Sequence, residues 1–405
     1  MARHHTRLDK ALDLKPRAFA LMRALVGDSV SRRHLTAFYP DHGWPGDGRV
    51  SFIENTRHAF ALFDERHAGA LAIVSTNNRD TMNPDATEID GDSGLRIIAR
   101  MTDVLIPGHT LSPVDIETGR QIDYVHRGPS RWPFAHPAPA GLREIATDTP
   151  VMVVPPIRHY GHTLTDVLMP LFLALQSGQF SEAQPITLIT SRKPLPLVEA
   201  VIDGLRKLGL LKQHLRLAPW QRVRASQFIY ARTHCRNVER IFAAPDALPM
   251  ARQCFEAAYG ASFATSPSAL GEPGALLYLT RGKTRLRQVE GEDALIAALQ
   301  ERGFTIFESR QDNHAEQIAH FAKARVIVGV HGAGLANVLF ANRGAHLVEI
   351  MASDGRKSTG LHWAAEAGLF YTPVLGSKEW GKQHFRIEAE SVLREIDAVI
   401  DTVGA

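Results

Sequence analysis

Residues 326–350 read VIVGVHGAGLANVLFANRGAHLVEI and carry the strongest indication of fold in the chain. The apolar run Val326–Val330 predicts a buried strand. A helix is predicted to begin at Gly334, immediately after a glycine-containing turn, and His346–Ile350 predicts a second strand. Strand, turn, helix and strand in this order are typical of a parallel sheet covered by helices.

The turn His331-Gly332-Ala333-Gly334 suits an anionic ligand. Glycines let the backbone approach closely, and the amides at a helix start point towards a negative charge. Glu349 follows on the next strand, where carboxylates commonly accept hydrogen bonds from ribose hydroxyls. Together these features predict a nucleotide-diphosphate site; the alternative is that the glycines only permit close packing of strand and helix.

Three other interpretations of the glycines are weaker. A nicotinamide-dependent oxidoreductase is disfavoured because Asn337 stands where a dinucleotide fingerprint has glycine or alanine, and because two strands precede the turn. Residues 282–284 resemble the end of a phosphate-binding P-loop, but its first glycine would fall at Leu277. An esterase with this turn would need a Gly-x-Ser-x-Gly elbow, which is missing from the sequence.

The rest of the chain repeats the alternation of strand and helix. Strands are predicted at 151–154 and 186–190, and helices at 163–177, with a kink at Pro170, and at 195–208. With roughly 150 residues per domain as a prior, a chain of 405 residues predicts two domains. We place an N-terminal α/β domain at 1–230, a C-terminal α/β domain at 231–385 and a closing helix at 386–405.

Composition narrows the class of protein. Hydrophobic residues make up 44% and charged residues 22%, which is globular. The net charge of 46 − 43 = +3 is too small to predict a nucleic-acid-binding protein. Two cysteines exclude a disulfide scaffold. The sequence contains no run of 18 apolar residues that would predict a transmembrane helix, and no signal peptide is recognised. We therefore expect a cytoplasmic protein. Two interpretations of its basic N-terminal segment stay open, namely a contact with the inner membrane face and a disordered tail.

Two groups of residues resemble glycosyltransferase family 61, the family once called capsular polysaccharide biosynthesis proteins. The C-terminal group is specific and the N-terminal group is short. The matching pieces are Tyr278-Leu279-Thr280-Arg281, Arg285, Arg287, Glu316-Gln317, His331-Gly332-Ala333-Gly334-Leu335, Asn337, Leu339-Phe340 and Glu349, and then His159-Tyr160-Gly161-His162 followed by Asp166.

The resemblance implies a GT-B architecture, in which two Rossmann-like doubly wound domains face a cleft. It implies an inverting transfer from a nucleotide-sugar donor, for which we expect a UDP-sugar, without a metal or other cofactor. The implied acceptor is a surface polysaccharide or a lipid-linked glycan, as in capsule or exopolysaccharide biosynthesis. A non-catalytic nucleotide-sugar-binding protein on the same fold is the alternative of a different class.

The donor is expected to bind the C-terminal domain. A pyrophosphate leaving group gains charge in the transition state, which cations and helix amides stabilise. Arg281 ends a strand at the ligand-binding edge of the sheet, and the other arginines follow in the same loop. A solvated basic face is the alternative for that loop. The predicted donor-binding residues are Arg281, Arg285, Arg287, His331, Gly332, Ala333, Gly334, Leu335, Asn337 and Glu349.

The catalytic base is expected in the N-terminal domain. His162 and Asp166 are four residues apart on a predicted helix and therefore share a face. Histidine is suited to accept a proton at neutral pH, and a nearby aspartate can orient it. Either residue is our candidate for the base, with His159 as an acceptor-side contact. The alternative is that His162 caps the helix and Asp166 is a surface acid. The pair Asp90-Gly91-Asp92 resembles a metal-binding motif, but we interpret it as a solvated loop.

Overall fold

The computed structural model describes residues 49–58, 94–108, 110–116, 122, 143–157, 159–235, 245–260, 275–282, 288–310, 312–354 and 359–404. Arg285, Arg287 and the segment 90–92, which the sequence analysis singled out, lie outside these ranges. The strands are β1 Val50–His58, β2 Gly94–Met101, β3 Val104–Pro107, β4 Val114–Asp115, β5 Arg143–Thr147, β6 Val151–Val154, β7 Ile186–Ser191, β8 Leu211–Leu217, β9 Gln221–Ala225, β10 Phe228–Cys235, β11 Ala275–Thr280, β12 Val289–Glu290, β13 Thr305–Glu308, β14 Ala324–Val330, β15 His346–Met351, β16 Phe370–Leu375 and β17 Phe385–Arg386.

Helices connect most of the parallel strands. The first, α1, has three consecutive parts: α-helical Tyr160–His162, π-helical Thr163–Leu168 and α-helical Met169–Gln176. The others are α2 Pro196–Lys207, α3 Leu248–Tyr259, α4 Glu292–Glu301, α5 His314–Lys323, α6 Thr359–Ala367 and α7 Ala389–Val403, with short 3₁₀ helices at Pro245–Ala247 and Ala333–Phe340. No helix in the described ranges is long and apolar enough to cross a membrane.

The C-terminal sheet is parallel and doubly wound, as the sequence predicted. Its strand order is β13-β11-β14-β15-β16, and all four ladders are parallel. Apolar side chains of α4 and α7 cover one face, whereas α5, the 3₁₀ helix Ala333–Phe340 and α6 cover the other. From β11 the chain first adds β13 on one side and then adds β14 on the other side, so the direction in which strands are added reverses between β11 and β14. In open α/β sheets, ligands bind outside the carboxyl ends of the strands at such a reversal.

The N-terminal sheet differs from the expected doubly wound domain. Its order is β1-β2-β10-β6-β7-β8, with antiparallel pairing at β1, β2 and β10 and parallel pairing from β10 to β8. Met152 and Val154 face the helices α1 to α3, but Val151 and Val153 face a second sheet of order β4-β3-β9-β5. A fully apolar strand needs apolar cover on both faces, and here strands supply the second layer in place of helices.

The helices of the two sheets meet in one continuous core. Phe255 on α3 packs edge-on against Phe340 of the 3₁₀ helix, with ring centroids 5.3 Å apart, and against Phe172 on α1 at 6.0 Å. Helix α3 also lies tightly on α2, because a Cβ on Gly204 would come within 2.1 Å of the carbonyl oxygen of Cys254. The predicted boundary at residue 231 assigns α3 to the C-terminal domain. In the structure α3 also packs on α1 and α2, which are helices of the N-terminal sheet.

The predicted kink at Pro170 takes the form of a π-helical stretch. The amide of Met169 donates to the carbonyl of Leu164, five residues back. Proline lacks an N–H and clashes with the preceding turn of a regular α-helix. In this helix the wider π-helical turn Thr163–Leu168 comes before Pro170. Such stretches are frequent at functional sites, and this one contains Asp166.

Replacement of Phe255 with alanine tests the shared core. We expect Phe255→Ala to lower the free energy of unfolding by about 3–5 kcal/mol, because it removes a ring packed against both sets of helices. Denaturant titration followed by circular dichroism measures the change. Leu375→Ala, which truncates a side chain that is 38% exposed, is the control and should cost far less. Equal losses would contradict a core centred on Phe255.

Candidate active site

Arg281 lies at the reversal point of the C-terminal sheet. It directly follows β11, and its Nη1 donates to the carbonyl oxygen of His331, the first residue after β14, at 2.9 Å. A Cβ on Gly332 would lie 1.9 Å from the same nitrogen. Gly332 has an extended backbone with a φ of 170°, so the glycine is required for space and not for an unusual backbone angle. The missing side chain therefore lets the guanidinium group lie against the turn.

The segment after the turn is a 3₁₀ helix and not the predicted α-helix. It spans Ala333–Phe340 and is wound by hydrogen bonds such as that from the amide of Leu335 to the carbonyl of Gly332, at 3.1 Å. Leu335 itself is buried against Gly329, where a Cβ would come within 2.9 Å of its Cδ2. The structure thus places Leu335 in the core beneath the turn. Gly334 is confined by Leu279 and Ser309.

His331 is held by a buried carboxylate. Its Nδ1 lies 2.7 Å from Oε1 of Glu349, whose other oxygen accepts a hydrogen bond from the hydroxyl of Tyr371 at 2.6 Å. The side chain of Glu349 is fully buried and that of His331 is 15% exposed. Burial raises the pKa of Tyr371, which keeps its hydroxyl a donor. Glu349 therefore lies beneath His331, with both oxygens occupied inside the protein.

Helix α6 begins beside this carboxylate. A Cβ on Gly360, in the first turn of α6, would come within 2.2 Å of Oε2 of Glu349. The start of a helix carries a partial positive charge that stabilises an anion. Only a residue without a side chain lets the helix start approach so closely. The buried carboxylate of Glu349 is thus surrounded by His331, Tyr371 and the α6 backbone.

Asn337 lies below the turn and is fully buried. Its Nδ2 donates to Oε1 of Gln317 at 2.9 Å and to the carbonyl of Gly334 at 3.0 Å. Its Oδ1 accepts a hydrogen bond from the hydroxyl of Tyr160. Every polar atom of this amide side chain thus has a partner in the protein. Asn337 therefore joins the glycine turn to α1 and α5.

Sequence reasoning did not assign roles to Tyr160 and Gln317, although both lie within the quoted motif pieces. Tyr160 stacks on the ring of His314 with centroids 5.1 Å apart and planes 8° apart. Burial raises the pKa of Tyr160, so its hydroxyl remains a donor to Asn337. Their position in those motif pieces was the sequence feature that pointed to a role. A tyrosine at a helix start does not by itself predict a contact with a residue 177 positions away.

His162 and Asp166 form the pair expected from their spacing. Nδ1 of His162 lies 2.8 Å from Oδ2 of Asp166, and the hydroxyl of Thr165 donates to Oδ1 of Asp166 at 2.6 Å. The side chain of His162 is 50% exposed and that of Asp166 is 16% exposed. Since Nδ1 faces the carboxylate, Nε2 on the other side of the ring faces away from it.

His159 supports the start of α1. It is the residue before the helix, and its Nδ1 accepts a weak hydrogen bond from the amide of His162 at 3.4 Å. The two imidazole rings are 4.5 Å apart and tilted. His159 is exposed, so its ring borders the His162–Asp166 pair on the solvent side.

The start of α1 and the glycine turn are neighbours. A Cβ on Gly161 would lie 3.5 Å from the Cβ of Ala333, in ordinary van der Waals contact. Gly161 precedes His162, and Ala333 lies between the two glycines of the turn. The structure therefore brings together the N-terminal and C-terminal motif pieces. In the described ranges, no group of three or more His, Cys, Asp or Glu residues is arranged to hold a metal ion.

Comparison with known families gives one match. The family model described as Glycosyltransferase 61 matches residues 160–348, somewhat less than half of the chain. The matched segment begins at Tyr160 and includes the His162–Asp166 pair, Arg281 and the glycine turn. This match supports a family 61 glycosyltransferase. No curated protein matches the chain.

A double-mutant cycle tests the link between the two motif pieces. We expect Tyr160→Phe and Asn337→Ala each to lower the free energy of unfolding by about 1–3 kcal/mol, because each leaves a buried polar atom without its partner. The double variant should lose less than the sum, with a coupling of about 0.5–3 kcal/mol in denaturant titrations. Tyr160→Phe combined with the distant Asp203→Asn provides the additive control. Additivity of Tyr160→Phe and Asn337→Ala would exclude the link.

Proposed function

We propose that the chain is an inverting, metal-independent glycosyltransferase that moves a sugar from a UDP-linked donor to a surface-polysaccharide or lipid-linked glycan acceptor. The observation that carries the proposal is the close approach of Gly161 to Ala333, which puts a half-exposed His–Asp pair beside a glycine turn that holds an arginine. The family match to residues 160–348 supports the transfer of a glycosyl group.

The donor diphosphate is proposed to bind at the reversal point between β11 and β14. There Arg281, which is held against Gly332 and the carbonyl of His331, supplies a fixed positive charge. His331, oriented by Glu349, presents Nε2 as a further contact. Because these groups are held before substrate arrives, they stabilise the charge that develops on the leaving diphosphate without having to reorganise.

His162 is proposed as the catalytic base. Nε2 takes the proton of the acceptor hydroxyl while the hydroxyl oxygen attacks the anomeric carbon. The bond from that carbon to the diphosphate breaks, and its electron pair leaves with the diphosphate. Attack opposite the leaving group inverts the anomeric configuration. Asp166 holds the Nδ1 proton of His162 and stabilises the imidazolium. Asp166 is the less accessible of the two and has both oxygens engaged, which favours His162 as the proton acceptor.

The proposal includes a GT-B arrangement, in which an acceptor-side unit at 1–230 and a donor-side unit at 231–385 face a cleft. The carboxyl edges of β6 and β14 would border this cleft, since α1 follows β6 and the glycine turn follows β14. A cytoplasmic location at the inner membrane face rests on the basic residues of the N-terminal segment, which anionic lipids attract.

Titration calorimetry with UDP and NAD tests the donor site. We expect UDP to bind and Arg281→Gln to weaken its binding roughly 10- to 100-fold, since hydrogen bonds to charged groups contribute about 1.5–3 kcal/mol. Arg302→Gln is the control, because Arg302 pairs with Asp397 between α4 and α7. Tight NAD binding without UDP binding would overturn the proposal in favour of an oxidoreductase.

Turnover measurements test the base. We expect His162→Asn and Asp166→Asn to lower kcat for transfer by about 10²–10⁴-fold, the usual contribution of general base catalysis, while the Kd for UDP stays unchanged. Asp203→Asn is the matched control, because Asp203 also pairs with a residue four positions away, Lys207, on a helix surface. Donor binding with no transfer or donor hydrolysis in the wild type would indicate a non-catalytic binding protein.

A further inference from the structure

The carboxyl ends of β6, β7 and β8 lie side by side. The parallel ladders pair Val154 with Thr190 and Ser191 with Leu217, so the three strands end at nearly the same level. The loop after β6 leads to His162. Since neighbouring strands are about 4.8 Å apart, the loops after β7 and β8 follow it at roughly 5 and 10 Å along the same edge of the sheet.

The loop after β8 holds an exposed aromatic ring on a fixed turn. Trp220 is 36% exposed. The amide of Gln221 donates to the carbonyl of Ala218 at 2.9 Å, and the Gln221 side chain accepts from the amide of Ala218 at 2.8 Å. The turn also packs on Gly108, where a Cβ would lie 2.0 Å from the Ala218 carbonyl oxygen. The ring is therefore positioned before any ligand binds, which reduces the entropic cost of binding.

The loop after β7 adds positive charge beside this ring. Arg192 places its Cζ 5.9 Å from the centroid of the Trp220 ring, within the range of a cation–π contact. Lys193 follows and is exposed, and no ion pair involves it in the described part of the chain. Glu199, the acid in the first turn of α2, is engaged by Arg216 through both oxygens at 2.7 Å. The edge therefore offers an aromatic face and cationic donors together.

We propose that Trp220, Arg192 and Lys193 form an acceptor subsite for an anionic glycan. The apolar face of an acceptor sugar stacks on Trp220, and a carboxylate or phosphate on the acceptor binds Arg192 and Lys193. The reacting sugar then extends along the strand ends towards His162. This inference rests on the proposed glycosyltransferase function and names the class of its acceptor.

Calorimetric titration of the full chain with three probes tests the subsite. The probes are a tetrasaccharide that contains glucuronic acid, its carboxyl-reduced neutral counterpart and a hexose 1-phosphate. We expect an anionic probe to bind about tenfold or more tightly than the neutral one. Trp220→Ala should weaken that binding about tenfold, a size typical of a truncated aromatic anchor. Arg192→Ala and Lys193→Ala should reduce the preference for the charged probe.

Matched variants keep the test specific. Trp380→Ala removes a ring that is 46% exposed outside this edge, and Lys212→Ala removes a lysine at the opposite end of β8; both should leave binding unchanged. Trp220→Leu keeps apolar volume without a planar ring and should behave as Trp220→Ala if stacking matters. Melting temperatures identify any variant that fails to fold.

The outcomes separate the sources of the anion. Binding of the uronate probe indicates a carboxylate-bearing acceptor, and binding of the hexose phosphate alone indicates a phosphate-bearing precursor; both support the subsite if Trp220→Ala weakens them. Binding that is indifferent to Trp220, or no preference for anions, overturns it. UDP affinity in Trp220→Ala should equal that of the wild type. Failure of UDP binding in the wild type would instead remove the proposed function.

Discussion

The hydrogen bond between Tyr160 and Asn337 is the contact on which the candidate site depends. Asn337 is fully buried, and a buried amide that loses a partner costs about 1–3 kcal/mol. Satisfying it requires Gln317 of α5 on one side and Tyr160 of α1 on the other. The residue after Gly161 in that same helix is His162. The need to satisfy one buried side chain therefore sets where His162 lies relative to the turn that receives Arg281.

Two His–carboxylate pairs flank this contact, and their environments suit different tasks. The His162–Asp166 pair is half-exposed on the histidine side, so its imidazole is accessible to a ligand and to water. The His331–Glu349 pair is almost enclosed, and the carboxylate is further held by Tyr371 and the start of α6. A buried carboxylate with this many hydrogen-bond partners has a fixed orientation. Under the proposed function, the first pair therefore transfers the proton and the second positions the donor.

The sequence predicted the parallel C-terminal sheet because its strands and helices alternate along the chain. The N-terminal sheet was harder, since β2 pairs with β10 across more than a hundred residues and no periodicity within either strand specifies that partner. The His162–Asp166 pair could be predicted because residues four positions apart share a helix face, which depends on the local sequence alone. The burial of Asn337 and Glu349 depends on what other segments place above them. As polar residues near a glycine turn, they were predicted to contact a ligand. In the structure both are buried beneath the turn and hydrogen-bonded to other protein side chains.

Net charge conceals how positive charge is distributed. The chain carries only +3 overall, yet several of its arginines are matched to specific acids, such as Arg216 to Glu199 and Arg302 to Asp397. At physiological ionic strength a charge acts over about 8 Å. The donor diphosphate and an anionic acceptor would therefore each respond to the cations at their own strand edge, Arg281 for one and Arg192 for the other. Two anions near one reacting carbon repel each other, and a fixed counter-charge beside each reduces that repulsion. Under the proposed function, separate edges of two sheets, joined through a shared helical core, would supply those two counter-charges.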